Sequence, residues 1–597
     1  MRFLSFLHSL WTRWRPPFSG AQPLDISLLG FAVAIGFLAA VGALLFRSCI
    51  EGFQFLLWPG GASLVEQVQA APWWMVLLVP TLAGLVVGPV IAFFVPEARG
   101  PGVPEVILSV TTRQSTIRHR VTFLKGLITS LLLAAGASVG REGPIVQIGS
   151  SVGSSLAQFF GLRPELRRLC LACGAAAGIA ATFNAPIAGS LFALEIILMN
   201  IEVSYISHIV IAAITGSVLS RIFWGDFPAF RVVPFELGSY SELLGYLVLG
   251  ILAGLVSIVF VRSIFATENI FQRLRLPQWL SPAIGGLLLG CLALSLPQVM
   301  GVGYETVNDA LANSLPLQMA LVLLAAKLAA TAICIGSGMS GGIFAPSLFL
   351  GAALGTVVGL GATVVWPAHD LHPAFFALAG MGAVVSGTTL APITAIVTIF
   401  ELTLHYQIIL PLMVACISAT LVVRLLFGVS VYELKLLRNG MDIVRGHDVG
   451  ILRNLCVCDV MRRSVPRLPI TATLGAIVAA TEQTAFPHFV VEQEQNKLAG
   501  VLSLRDLRKA LLQFEANKDH LSAGDLMSRN VITVERNDSV EKALHLFEEY
   551  HYSMFPVVDQ DNTVVGILTK DDVLKAYDQK VLKDRVLSTQ TGHGESA

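Results

Sequence analysis

Residues 136–149 of this chain read Gly-Ala-Ser-Val-Gly-Arg-Glu-Gly-Pro-Ile-Val-Gln-Ile-Gly, with apolar runs on both sides. Arg141 and Glu142 therefore stand at membrane depth, where an ionised side chain costs about 3 kcal/mol even on lenient scales. Glycine-rich backbone broken by proline is tolerated there only inside protein or along a wet cavity. The segment is expected to be a broken helix whose start faces a polar pathway. Three further glycine or proline loops, at 100–104, 341–346 and 388–392, precede apolar helical runs. Helix starts carry unpaired N–H groups and about half a positive charge, which suits an anion. Such partial charges hold an ion weakly enough to release it, where a full Lys or Arg charge would trap it. A cation pathway would need ringed carboxylates or carbonyls, and these four loops offer Glu142 as their one acid.

Of the 597 residues, 54% are hydrophobic and 13% are charged. Soluble domains average about 25% charged, so with a mean hydropathy of +0.71 most of the chain must lie in lipid. The formal net charge is +0, which gives no case for a nucleic-acid partner. The Gly-x-Ser-x-Gly matches at Gly136, Gly149 and Gly338 lie in glycine-rich apolar segments with no histidine at pairing spacing, and no His-Glu-x-x-His occurs, so an enzyme is not expected. The eight cysteines are too scattered for a disulfide framework. Cys170 and Cys173 have helical spacing inside an apolar run and are expected to pack. Cys456 and Cys458 are expected on opposite faces of a strand, so no metal site is assigned to them. Residues 1–26 mix Arg2, Arg13 and Arg15 with Phe, Leu and Trp and read as an amphipathic segment on the membrane surface.

Thirteen apolar runs occur between residues 27 and 427. Several fall short of the roughly 20 residues that a straight crossing needs and are cut by Gly, Pro or Ser. Tilted and broken helices follow. The runs also repeat. Pro144 is followed by Gly149 and Gly153, and Pro346 by Gly351 and Gly355 at the same spacing. Gly174, Pro186 and Glu195 recur as Gly380, Pro392 and Glu401. Residues 27–440 therefore read as a membrane domain of two related halves, roughly 27–224 and 240–432, with substrate near their interface. Glu195 and Glu401, at equivalent positions, are expected to pair with backbone at helix ends. His208 and His405 fall near span ends, where packing or an interfacial role is expected.

After a linker at 441–456 the charge content rises and the apolar runs shorten to strand length. Asp459-Val460-Met461 and Asp525-Leu526-Met527 open two units. Each closes on Gly-x-x-Ser/Thr-x-x-Asp, at Gly500 to Asp506 and at Gly566 to Asp572. The two units, 457–515 and 521–580, resemble a tandem CBS pair, and residues 581–597 read as a disordered tail.

In the membrane domain, Gly100-Pro101-Gly102-Val103-Pro104-Glu105, Gly140-Arg141-Glu142-Gly143-Pro144 and Gly341-Gly342-Ile343-Phe344-Ala345-Pro346 follow in order. They resemble the three signature segments of the CLC chloride channels and proton-coupled anion exchangers, and Tyr432 matches the family's fourth anion-site element. The resemblance implies an all-α polytopic membrane protein with two inverted-topology repeats plus a cytosolic α/β CBS pair. It further implies a homodimer in the cell's inner membrane, both termini cytoplasmic, with one pathway per subunit. Glu142 would be the gating glutamate. Pro101, Gly102, Gly143, Ile343, Phe344 and Tyr432 would form the anion sites, with Arg141 and Lys125 beside the pathway. Lys125 could equally be a residue that snorkels to the membrane surface. No cofactor is required, and chloride is the transported ion.

Two departures from the family pattern bear on function. Pro101 stands where serine is common. It resembles the nitrate-preferring plant members, so either nitrate competes with chloride or the proline merely shapes the turn. Ile196 stands where exchangers usually carry an internal proton glutamate, which favours a channel-like conductor over proton-coupled exchange. In the tail, Ser503, Asp506, Thr569 and Asp572 occupy positions where CBS pairs hydrogen-bond adenine nucleotides. The alternatives are a CBS pair that only braces the dimer and, for the whole chain, a membrane ion sensor.

Overall fold

The computed structural model describes residues 26–438, 455–513 and 521–576, with short breaks at 62, 113–114, 200–202, 226–229, 231–239, 275, 368–370, 485, 494–495, 551, 560 and 574. Nearly all of the amphipathic segment, most of the linker and the tail expected at 581–597 lie outside the described residues. The chain divides into two compact units between Met441 and Asp442.

The first unit is helical throughout its described residues. Among the described residues eight helices are long and apolar enough to cross a membrane, Leu28–Leu57, Tyr240–Arg273 and Phe344–Val365 being three of them. Shorter apolar helices, Pro186–Leu198, Ser281–Ala293, Pro373–Thr389 and Pro392–Thr403, lie among them. The breaks fall where Gly and Pro interrupt the runs: the four loops of the sequence each open a helix, at Val103, Glu142, Phe344 and Pro392. Leucine, isoleucine and phenylalanine side chains such as Phe93, Phe123, Leu252, Leu421 and Ile222 remain exposed, as a lipid-facing surface requires.

Small residues set how the helices meet. Without a hydrophobic drive between helices in lipid, close backbone packing at Gly and Ala supplies the attraction. A Cβ on Gly149 would sit 2.1 Å from the Gly174 carbonyl oxygen, and one on Gly174 would sit 2.0 Å from the Gly149 carbonyl oxygen. Gly351 and Gly380 repeat this reciprocal contact at 2.2 Å in each direction. The two halves thus cross their central helix pair in the same way. The glycine spacing that revealed the repeat is the spacing of that crossing.

The second unit holds two three-stranded sheets, β1 (Arg467–Pro469), β2 (His488–Glu492), β3 (Leu498–Ser503), and β4 (Val534–Glu535), β5 (Met554–Val558), β6 (Val564–Thr569). In each, the first pair is parallel and the second antiparallel, with a register shift at Val491/Glu492 and at Val557/Val558. The units exchange their opening segments. Val457 is buried in one core with Phe547, Phe555 and Leu568, while Ala523 is buried in the other with Ile477, Phe489 and Leu502. A Cβ on Gly500 would lie 2.7 Å from Met527 Sδ, and one on Gly566 2.9 Å from Met461 Sδ. The opening Asp-x-Met of each unit therefore packs on the closing glycine of the other.

Replacing Gly351 by valine forces backbone apart at a buried crossing, and overpacking of this kind costs about 1–3 kcal/mol or more. Thermal unfolding in detergent is expected to fall measurably for Gly351→Val. Gly361→Val, on the same helix with nothing within 4 Å of the added Cβ, serves as the control and should leave it unchanged.

Candidate functional site

The signature loops of the two halves are tied face to face. Gly140 N–H donates to the Gly342 carbonyl and Gly342 N–H to the Gly140 carbonyl, both at 2.6 Å. The Gly341 amide donates to the Gly100 carbonyl at 3.3 Å, and the Gly100 amide to the Met339 carbonyl at 3.2 Å. Thr129 and Ser340 hydroxyls meet at 2.7 Å beneath them. These contacts bring the starts of the Val103–Thr112, Glu142–Phe159 and Phe344–Val365 helices together. They also explain the glycines. A Cβ on Gly143 would lie 2.0 Å from the Pro101 carbonyl oxygen, and Gly102 has φ +87°, a left-handed backbone that favours glycine.

Pro101, Gly102, Gly143, Ile343 and Phe344 thereby converge on one region. Glu142 opens the Glu142–Phe159 helix and is 3% exposed. Its carboxylate lies across Gly140: the point a Gly140 Cβ would occupy is 2.1 Å from Glu142 Oε2 and 3.2 Å from the Ala345 amide nitrogen. The acid of one half therefore points at the bare helix start of the other. Oε2 is buried, and the main-chain amides of Ala345 and Glu142 act on the carboxylate.

Oε1 accepts a hydrogen bond from the Tyr304 hydroxyl at 3.3 Å. The Arg141 guanidinium lies 5.2 Å over the Tyr304 ring, and Phe230 meets that ring edge-on at 5.3 Å. Tyr304 was not among the residues singled out from the sequence. It lies outside every signature segment, and only the fold brings the start of its helix, Tyr304–Leu311, to Glu142. Tyr432 is buried on the Val431–Arg438 helix, close enough for the Glu142 charge to act on its hydroxyl. A capping box holds that helix, with Ser430 N–H donating to Glu433 Oε2 and Glu433 N–H to Ser430 Oγ.

Lys125 does not snorkel. It is fully buried and donates to the Ala98 carbonyl at 2.7 Å and the Gly100 carbonyl at 3.0 Å. These bonds fix the loop that carries Pro101. The second half repeats the device with Lys327, which donates to Val299 and Gly301 carbonyls at 3.0 and 2.8 Å. Ile196 is buried in the π-helical turn Ala193–Leu198. Its neighbour Glu195 accepts from the Thr394 amide at 2.7 Å and the Thr394 hydroxyl at 2.6 Å. Glu401 in turn accepts from Ile187 and Ala188 amides at 3.0 and 2.7 Å. Each half thus caps a helix of the other. Of the two roles expected for His208, packing holds: it is buried on the Val203–Trp224 helix with both ring nitrogens unpartnered.

In the second unit, Ser503 and Asp506 line a cleft of about 660 Å³ together with His488, Lys509, Asn530 and Tyr552. Burial holds the His488 imidazole below its ordinary pKa against the pull of the Asp506 carboxylate, so the cleft's steady positive charge comes from Arg505 and Lys509. The equivalent Thr569 and Asp572 do not line this cleft. Arg462 Nε and Nη2 both reach Asp572 Oδ1 at 2.7 Å, and Thr569 Oγ1 donates to Oδ2. In Asp506 the cap to Ser503 uses Oδ2, at 2.6 Å from the hydroxyl. Ser522 and Asp525 form the same capping box away from the cleft, so the Ser/Thr-x-x-Asp pattern is first a helix cap.

A helical membrane unit whose facing loops bring three helix starts around one acid, with a CBS-like second unit, is the frame of an anion transporter. The chain matches the family described as voltage gated chloride channel over residues 83–424 and the CBS domain family over 457–513 and 523–579. It is 37% identical over 422 residues to a putative chloride channel protein ClcB-like of Ralstonia nicotianae, covering 70% of this chain and 98% of that one. It is 34% identical over 426 residues to the H(+)/Cl(-) exchange transporter ClcA of Salmonella agona, covering 69% and 89%. A slow cyanobacterial Cl-/H+ antiporter superposes with TM-score 0.64 at 27% identity, covering 70% of this chain and 99% of that chain. The protein belongs to the CLC family: a multi-pass membrane protein that carries anions, with a tandem CBS pair and no enzymatic function.

Tyr304→Phe keeps the ring for Arg141 and Phe230 and removes the one hydrogen bond to Oε1. A hydrogen bond to a charged group is worth about 1.5–3 kcal/mol, and at 3.3 Å the lower end applies. Anion efflux from liposomes at neutral pH is expected to rise about tenfold. Unchanged efflux with intact folding would show that the Tyr304–Glu142 bond has no part in transport.

Proposed function

We propose that each subunit of a homodimer in the inner membrane, with both chain ends cytoplasmic, conducts chloride through a pathway gated by Glu142. The observation that carries this reading is the position of the Glu142 carboxylate, folded over Gly140 toward the Ala345 amide. There it takes the place an anion would take among helix-start N–H groups. Protonation or displacement by an anion swings it away and opens the path. Ile343, Phe344 and the Tyr432 hydroxyl then hold the central ion, with neutral donors that orient it without trapping it. Pro101 offers no hydroxyl, so nitrate competes with chloride.

Conduction is passive or loosely coupled. Ile196 carries no proton, and Glu195 beside it is engaged by the amides of Ile393 and Thr394 and the Thr394 hydroxyl. A carboxylate spent on three donors is a poor stand-in for a proton site. The second reading, proton-coupled exchange, draws on the exchanger name of a 34% identical relative. Reversal potentials in planar bilayers under a proton gradient, with chloride and then nitrate, separate the two. No shift with pH is expected for the wild type, and a shift at fixed anion would establish coupling. Glu142→Ala is expected to give constant flux that no longer responds to pH; a wild-type pH response in that variant would sink the gating assignment.

The CBS pair takes an adenine nucleotide in the Ser503–Asp506 cleft, where Asp506 keeps Oδ1 for ribose hydroxyls and Lys509 faces phosphate. Occupancy alters transport only through different affinities for two gating states. In calorimetry with ATP, Asp506→Ala should weaken binding at least tenfold. Thr569→Ala, outside the cleft, should leave it unaltered.

A further inference from the structure

Three side chains at the start of the second unit belong neither to the anion pathway nor to the cleft. Cys456 Sγ, Cys458 Sγ and a carboxylate oxygen of Asp459 all lie within 4.8 Å of one another. The expectation that the two cysteines occupy opposite faces of a strand fails here for a local reason. Cys456 is extended, with φ −83° and ψ 142°, but it caps the helical turn Val457–Val460. The turn rotates Cys458 back toward it, and the Cys458 amide donates to Cys456 Sγ at 3.3 Å.

The cluster is held from outside itself. Val457 N–H donates to the Asp538 carbonyl at 2.9 Å and Cys458 N–H to the Arg536 carbonyl at 3.0 Å. Cys456 pairs with Ser539 as an isolated antiparallel bridge. The Val457 side chain between the cysteines is fully buried against Phe547 and Phe555. Side chains anchored this way keep their spacing without a ligand, which is the property a binding site needs.

Two thiols and a carboxylate form a donor set that suits zinc, whereas calcium and magnesium take oxygen donors alone. Tetrahedral zinc with Zn–S bonds of about 2.3 Å places two sulfurs about 3.8 Å apart. The cluster already holds its three donor atoms within 4.8 Å of one another. The N–H to sulfur bond from Cys458 is a second contact of the kind that stabilises a metal-bound thiolate. We propose that Cys456, Cys458 and Asp459 bind one Zn²⁺ per chain, with a fourth coordination position open to water. Binding releases the thiol protons to solvent and leaves two thiolates and a carboxylate on the metal. The metal would stiffen the strap between residues 456–459 and 536–539, which joins the opening of one CBS unit to the other.

The test uses the full chain, purified in detergent and reduced, dialysed against Zn²⁺ and assayed for metal by elemental mass spectrometry. Co²⁺ serves as the optical probe, because thiolate-to-cobalt absorption reports sulfur ligation directly. One metal per chain and a thiolate–cobalt band are expected. Both should be lost in Cys456→Ser/Cys458→Ser, and affinity should fall about tenfold in Asp459→Asn. Cys49→Ser/Cys291→Ser, which removes the two exposed cysteines elsewhere in the chain, should keep full binding. The proposal is overturned by wild-type protein that binds no stoichiometric metal. It is equally overturned by binding that survives the Cys456/Cys458 double variant, or by a Cys456–Cys458 disulfide that forms in place of the metal.

Discussion

The reciprocal hydrogen bonds between Gly140 and Gly342 are the contact on which the membrane unit depends. A helix start leaves its first N–H groups without intrahelical partners, and in lipid such groups must find partners or a wet cavity. Pairing one loop with the other satisfies part of that demand. The N–H groups beyond the pair then surround a shared space. The price is steric: no side chain fits at 143 or 342, where an added Cβ would lie 2.0 and 2.8 Å from main-chain atoms of the facing loops.

Fixing the loops takes charge as well as hydrogen bonds. Lys125 and Lys327 are each fully buried, and each is spent on two main-chain carbonyls of an irregular segment. A buried ammonium is costly, and several carbonyl oxygens around it offset that cost. The carbonyls in turn have no helix to satisfy them. Glu195 and Glu401 apply the opposite charge to the opposite helix end, and each reaches across to the other half. The halves are thus bonded through exchanged acids as well as through the paired glycines, which makes independent movement of one half expensive.

Much of this was legible in the sequence because glycine and proline spacing is a record of backbone contact. The doubled Pro–Gly–Gly pattern marked the helix crossings, and the Gly-rich segments marked the helix starts. The shortening of the apolar runs after residue 457 marked the change from membrane helices to the strands of the second unit. What stayed hidden depends on one side chain meeting a distant one. Tyr304 reaches Glu142 across 162 positions, and Arg462 reaches Asp572 across 110. Neither has a local signature, since an isolated tyrosine after glycines or an arginine after a methionine occurs in many loops. Cys456 and Cys458 were misplaced for a subtler reason. Strand and helical turn differ there by the backbone of one capped turn, and the anchor that selects the turn lies about 80 residues downstream.

Both duplications in this chain share one outcome. In the membrane unit the two loops have matching backbones, yet only the first carries an acid, and the second presents Ile343 and Phe344. In the CBS pair the two Ser/Thr-x-x-Asp caps match bond for bond, yet Arg462 occupies Asp572 while Asp506 stays open on a cleft. A symmetric frame holds its shape through bonds both copies must keep: glycine contacts, lysine–carbonyl ties and helix caps. Side chains outside those bonds are free to differ. The two loops have to differ, because two acids facing each other over Gly140 and Gly342 would repel where one acid and a bare helix start attract. The asymmetry at Glu142 is therefore what lets the two loops close on each other, and the symmetry around it holds them in register.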